Sequence, residues 1–162
     1  MTIYKDIVTG DELLSDSHPI KEDGVCYVVE GTYVTRSSGS VDIGSTSEVA
    51  GADEGDAGSA TVLNVVDAYR LIETRWDLKS YSSYMNVYLK RVVAAVPADE
   101  RPVWREQMQK WFQEVKADFG SYRFFLGESN DSEAMTVLMK TGEDGETPFF
   151  YYLRHGLKAE AS

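Results

Sequence analysis

Four carboxylates fall within the first sixteen residues, MTIYKDIVTGDELLSD: Asp6, Asp11, Glu12 and Asp16, with Lys5 alone to offset them. Carboxylates at this density suit three kinds of chemistry: solvated turns, a hard-cation site, or a surface that reads a basic partner. The run lacks the one-three-five oxygen spacing of a compact calcium loop. A second acidic run, GESNDSEAM, sets Glu128, Asp131 and Glu133 beside Ser129, Asn130 and Ser132. It offers calcium the roughly six to eight oxygens that the ion demands, and equally reads as a polar surface loop. Between Arg70 and Arg123 the sign reverses, with ten Lys/Arg against seven Asp/Glu in a chain of formal net charge −11. Lys79, Lys90, Arg91, Arg101, Arg105, Lys110 and Lys116 lie there. They form either a solvated helix face, stabilised by pairs such as Glu106 with Lys110, or a surface for an acidic partner.

Nucleophilic and redox chemistry has less to work with. Cys26 is the sole cysteine and sits in the apolar run VCYVV, so it reads as a small buried hydrophobe. No internal disulfide can form, which fits a reducing compartment. His18 and His155 are the only imidazoles, with no zinc spacing, and neither a Ser-His-Asp order nor a phosphate-cradling glycine loop is present. The acidic balance argues against nucleic acid. The longest apolar runs fall short of a membrane span, and the N-terminus lacks a signal-peptide pattern. The expectation is a cytoplasmic, non-enzymatic protein with no membrane insertion.

These residues must be positioned by the elements around them. TIYKDIV and VCYVVEGTYVTR are rich in β-branched and aromatic residues that suit strands. Val25 to Arg36 reads as a hairpin, turning at Glu30-Gly31 with positive φ at Gly31. Residues 37–60 are mostly Ser, Gly, Ala and acid, without Lys, Arg or an aromatic, and read as a long flexible acidic loop. ATVLNVVDAYRLIET then resumes strand character. From Asp77, a plausible N-cap, Leu78, Tyr81, Met85, Tyr88, Val92 and Val96 recur at helical spacing. A second helix begins near Asp99, with Pro102 in its first turn. Trp104, Met108, Trp111, Phe112, Val115 and Phe119 form its apolar face, and Gly120 would cap it. Residues 77–119 thus form an antiparallel helical hairpin. SYRFFLG, MTVLMK and FFYYL return to strand, with a turn at Asp144-Gly145. The fold class is α+β on an antiparallel sheet, with residues 1–162 as a single domain.

MTIYKDIVTGDELLSD, VEGTYVTR, FFLGES and EDGETPFFYYLRHGL together resemble the translationally controlled tumour proteins from end to end. That resemblance implies a twisted antiparallel β fold, tent-like, with a protruding helical hairpin and the flexible acidic loop. It also implies weak calcium binding and microtubule association by a multifunctional interaction protein, mainly monomeric. The alternative it implies is a regulator, exchange factor or chaperone, of a Ras-like small GTPase that controls growth. On this resemblance Glu12, supported by Asp11, meets the GTPase. Lys90, Arg91, Arg101 and Arg105 meet tubulin, and Glu133, with Glu128 and Asp131, holds calcium. The fold is also similar to methionine sulfoxide reductases, a reading that a lone cysteine disfavours.

The chain departs from the family pattern in several places. IGSTSE replaces a glycine-asparagine run, and Thr136 and Thr141 replace an aliphatic and an aromatic residue. The C-terminal AEAS carries no cysteine, and Arg123 and Ser121 weaken the expected calcium site. Limited proteolysis is expected to cut first within residues 37–60 and to leave the two fragments associated. Strong amide protection across that stretch would refute the expectation.

Overall fold

The β-branched and aromatic runs become strands in the computed structural model, which describes residues 1–37 and 59–161. In chain order the strands are β1 (Thr2–Asp6), β2 (Glu12–Ser15), β3 (Ile20–Asp23), β4 (Cys26–Glu30), β5 (Tyr33–Ser37) and β6 (Ser59–Leu63). Helix α1 (Asn64–Tyr69), β7 (Ile72–Thr74) and the two long helices α2 (Leu78–Val92) and α3 (Arg101–Ala117) follow. The chain continues through β8 (Tyr122–Leu126), β9 (Val137–Thr141), β10 (Pro148–Leu153) and β11 (Leu157–Ala161). Among the described residues these make sheets of order β11-β1-β2, β3-β4-β10-β9-β8-β7 and β5-β6. Pairing is antiparallel throughout. The α+β reading with antiparallel sheets and a helical hairpin therefore holds.

Local chemistry explains the features that matched expectation. Asp77 accepts from the Ser80 N–H at 2.7 Å, satisfying one of the donors that α2 leaves free at its start. Tyr81, Met85, Tyr88, Val92 and Val96 are buried as the stripe requires, although Leu78 stays exposed. Tyr81 ties the hairpin to the sheet, with ring centroids 5.9 Å from Phe112 and 5.4 Å from Phe124. Asp144 builds the β9–β10 turn by accepting from Glu146 N and Thr147 N, and Gly145 takes φ 75°.

Four expectations are corrected. The Val25–Arg36 hairpin does not form: β4 pairs with β3 and β10, while β5 pairs with β6 from Tyr33↔Leu63 to Ser37↔Ser59. The turn falls instead at Gly24, with φ 61°. Gly31 lacks positive φ and is required for space, because a Cβ there would lie 2.7 Å from Cε1 of the fully buried Phe150. ATVLNVVDAYRLIET is not one strand, since Asn64–Tyr69 forms a short helix within it. Asn64, the first residue of that helix, is tied to the β4–β5 joint: its Oδ1 accepts from Thr32 N at 2.8 Å and its N–H donates to Thr32 O at 2.9 Å. Gly120 does not cap α3 but sits in a single 3-10 turn, Phe119–Ser121. The flexible loop assigned to 37–60 loses its ends to the β5–β6 ladder, and its interior, residues 38–58, lies outside the described residues.

Gly31→Ala is expected to lower stability by about 1–3 kcal/mol through overpacking against Phe150. Gly120→Ala, where an added Cβ meets open space, should stay within about 0.5 kcal/mol. Urea midpoints of the two variants test the contrast, and equal midpoints would refute it.

Candidate functional site

The opening acids divide by what their oxygens do. After β1 the chain turns tightly: Gly10, with φ 80°, donates to Asp6 O at 2.8 Å, and Asp6 N donates to Asp11 O at 2.9 Å. Asp6 is almost wholly buried. Its Oδ1 accepts from Val8 N at 2.8 Å and its Oδ2 from Met135 N at 3.0 Å. Burial pushes its carboxyl up, and the N–H donors of Val8 and Met135 pull the other way. Asp11 is half-buried and grips the second acidic run: Oδ2 accepts from Ser129 N at 2.9 Å and Oδ1 from Ser129 Oγ at 2.7 Å. Gly127 permits this approach, since a Cβ there would stand 2.6 Å from Asp11 Oδ2. Asp11 is thus a tether of the 127–135 segment.

Glu12 is different. It is exposed at the first position of β2 and, among the described residues, has no hydrogen bond or ion pair from its side chain. It lines a polar cleft with Lys5, Asp11, Arg70 and Glu128. The other charges there are spoken for: Lys5 Nζ lies 3.1 Å from Glu160 Oε1, and Arg70 Nη1 lies 3.0 Å from Glu128 Oε2. Arg70 ends α1 in the left-handed conformation, φ 56°, its N–H donating to Val66 O. Tyr69 fixes that helix end, its hydroxyl 2.7 Å from Ser15 Oγ and 2.9 Å from His18 Nδ1. Sequence reasoning missed Arg70 and Tyr69, for no local pattern marks either residue.

The calcium trio does not converge. Glu128 holds Arg70, Glu133 lies 3.3 Å from Arg91 Nη2, and Asp131 Oδ1 accepts from Glu133 N at 2.8 Å. No group of three or more His, Cys, Asp or Glu that could hold a metal occurs among the described residues. The residues present do not fit a calcium cage, because the ion needs about six to eight convergent oxygens. Arg123 is likewise engaged elsewhere, as a fork on Glu73 at 2.8 and 2.9 Å.

The basic residues of the hairpin also divide. Arg91 is paired with Glu133, and Arg101 is half-buried, its Nε donating to Val93 O at 3.2 Å and Val96 O at 3.0 Å. Arg101 therefore closes carbonyls of the turn that follows α2, an assignment that helix periodicity cannot make. Lys90 and Arg105 are exposed and make no ion pair among the described residues. Cys26 is buried, and burial pushes its thiol far above the ordinary range, so it has no thiolate to offer. Among the described residues no helix is long and apolar enough to cross a membrane.

Comparison with known proteins places this geometry. A family model described as translationally controlled tumour protein matches residues 1–158. The translationally-controlled tumor protein homolog of Schizosaccharomyces pombe is 39% identical over 166 residues, covering 99% of both chains. That of Kluyveromyces lactis is 39% identical over 165 residues, again with 99% of each covered. The solved structure of the tumor-associated protein p23fyp from S. pombe superposes with TM-score 0.84 at 38% identity, over 100% of both chains. A solution structure of the Caenorhabditis elegans protein, 24% identical, superposes with TM-score 0.66 over 100% of this chain and 99% of that one, a likeness of fold.

Asp11→Ala is expected to cost about 1–3 kcal/mol, because it strands the Ser129 N–H and hydroxyl, and to speed amide exchange at Ser129. Glu12→Gln should change stability by no more than about 0.5 kcal/mol. Denaturant unfolding with residue-resolved exchange checks both, and an Asp11→Ala variant as stable as the parent would remove the tether.

Proposed function

The chain belongs to the translationally controlled tumour protein family, and on that premise we propose that it acts without catalysis, as an interaction protein that regulates a Ras-like small GTPase through the Glu12 cleft. One observation carries this reading: Glu12 is the cleft carboxylate with no intramolecular commitment, held on a strand whose neighbouring acids are locked in place. A carboxylate presented this way has no intramolecular partner to give up when it meets a basic surface, and the tethered turn beneath it is already in place. The geometry thereby favours the reading that the family resemblance ranked second. The calcium expectation gains no support from the placement of Glu128, Asp131 and Glu133.

Microtubule association stands as the second reading, carried by Lys90 and Arg105, which keep their charges unpaired on the hairpin. Arg91 and Arg101 support it less, because each already serves the fold. Exposed cations on a chain of net charge −11 would bind an acidic polymer weakly and lose it as salt rises.

Glu12→Val should fold like the parent and lose binding to its GTPase by about 30-fold or more, the weight of a desolvated interfacial carboxylate at about 2–5 kcal/mol. Titration calorimetry against GTPases loaded with GDP or GTP reads the loss. Unchanged affinity in a normally folded Glu12→Val variant would sink the GTPase reading.

A further inference from the structure

We propose that the flank of the helical hairpin is a docking groove for an amphipathic helix with an acidic polar face, supplied by a partner protein. Leu89 and Val93 of α2 and Trp104, Met108 and Phe112 of α3 enclose an open apolar furrow of about 340 Å3, with Lys90 and Arg105 on its rim. Trp104 and Met108 lie buried beneath, while Leu89, Val93 and Phe112 remain half-buried, so the walls still carry apolar surface to cover. Burying it against a partner is favourable at about 25 cal/mol per Å².

The lining selects the occupant. Gln109 is the one neutral polar side chain in it. An extended or irregular peptide would press its backbone N–H and C=O groups onto a floor that returns almost no hydrogen bonds. A helix satisfies its own backbone and offers apolar residues at three- and four-residue steps, the arrangement that fits a furrow between two helices. The rim then decides the charge. Lys90 and Arg105 are cations without acidic partners among the described residues, in a chain of net charge −11. Acidic residues beside the occupant's apolar stripe meet these two cations at the groove and repulsion over most of the remaining surface. The inference is independent of the Glu12 cleft. It shares Lys90 and Arg105 with the microtubule reading and differs from it in demanding apolar anchors and helical periodicity.

The probe is a synthetic, fluorescein-labelled peptide of about 18 residues, long enough for five helical turns, with Leu at positions i, i+3, i+4 and i+7 and Glu on the opposite face. Its control has the same composition, scrambled so that no stripe forms. Fluorescence anisotropy with the full chain should show saturable binding of the striped peptide and at least about tenfold weaker binding of the scrambled one. The Lys90→Glu/Arg105→Glu double variant should weaken the striped peptide about tenfold or more. Gln109→Trp, a substitution at an exposed position that fills the furrow, should abolish binding while the melting temperature holds. The Trp104 indole resonance should shift on binding.

Equal binding of striped and scrambled peptides would reduce the groove to a charged face and overturn the proposal. So would failure to saturate, or resonance shifts confined to other elements. Self-association of the chain that Gln109→Trp abolishes would make a second copy the occupant, and that also overturns it. Peptide binding left intact by the double variant of Lys90 and Arg105 overturns the acidic-helix proposal, and loss of microtubule co-sedimentation in that same variant then leaves the microtubule reading standing.

Discussion

Two carboxylates that bracket the turn between the first two strands hold parts of the chain that are far apart in sequence. Asp6 reaches Met135 across 129 residues, and Asp11 reaches Ser129 across 118. Burying Asp6 is unfavourable in itself, as the upward push on its carboxyl records. The placement survives because both oxygens accept backbone N–H groups that would otherwise be stranded. The consequence reaches past those bonds. With the 127–135 segment stitched to the opening turn, Glu128 meets Arg70, and the wall opposite Glu12 is set.

Hydrophobic burial does the heavier work, but it is spread out and does not choose a site. Leu13 and Leu14 follow Glu12 directly and are both fully buried, so the strand that exposes the carboxylate is anchored by its next two residues. In the other half of the molecule Tyr81 joins α2 to Phe112 of α3 and Phe124 of β8. The hairpin's flank at Leu89, Val93 and Phe112 keeps these apolar side chains half-buried and open to the furrow. The two candidate surfaces arise from one rule: core packing consumes one face of each element and leaves the chemistry of the other face to be decided by pairing.

That rule also marks where sequence reading succeeds and stops. The stripe of α2, its Asp77 cap and the Asp144-Gly145 turn are written within a few residues of one another, so periodicity and capping chemistry recover them. Helix α1 was illegible because TVLNVV has the composition of a strand, and Asn64 at its start bonds to Thr32, far away in sequence. Gly31 looked like a turn glycine until Phe150, more than a hundred residues on, showed that the need was for space. Charged residues are the hardest case. Asp11 and Glu12 are neighbours of the same type, yet one is a tether and the other is free. The difference is made by Ser129, which local pattern cannot see. Arg101 and Arg105 divide in the same way, one consumed by the carbonyls of Val93 and Val96 and the other left on the rim.

The free charges that remain have opposite signs at the two surfaces, a carboxylate at the cleft and two cations at the groove. They are linked through a chain of contacts: Arg91 of α2 holds Glu133, the 127–135 segment carries Ser129, and Ser129 is gripped by Asp11 beside Glu12. Contiguity of this kind is not yet coupling, because energetic coupling requires an element with two arrangements that both sites bias. Every link here is a satisfied pair or a buried bond, and the segment they share is pinned at Ser129 and again at Met135. Under the two proposals opposite charge separates the partner classes, since a basic surface suited to Glu12 meets repulsion at Lys90 and Arg105, and an acidic helix meets it at Glu12.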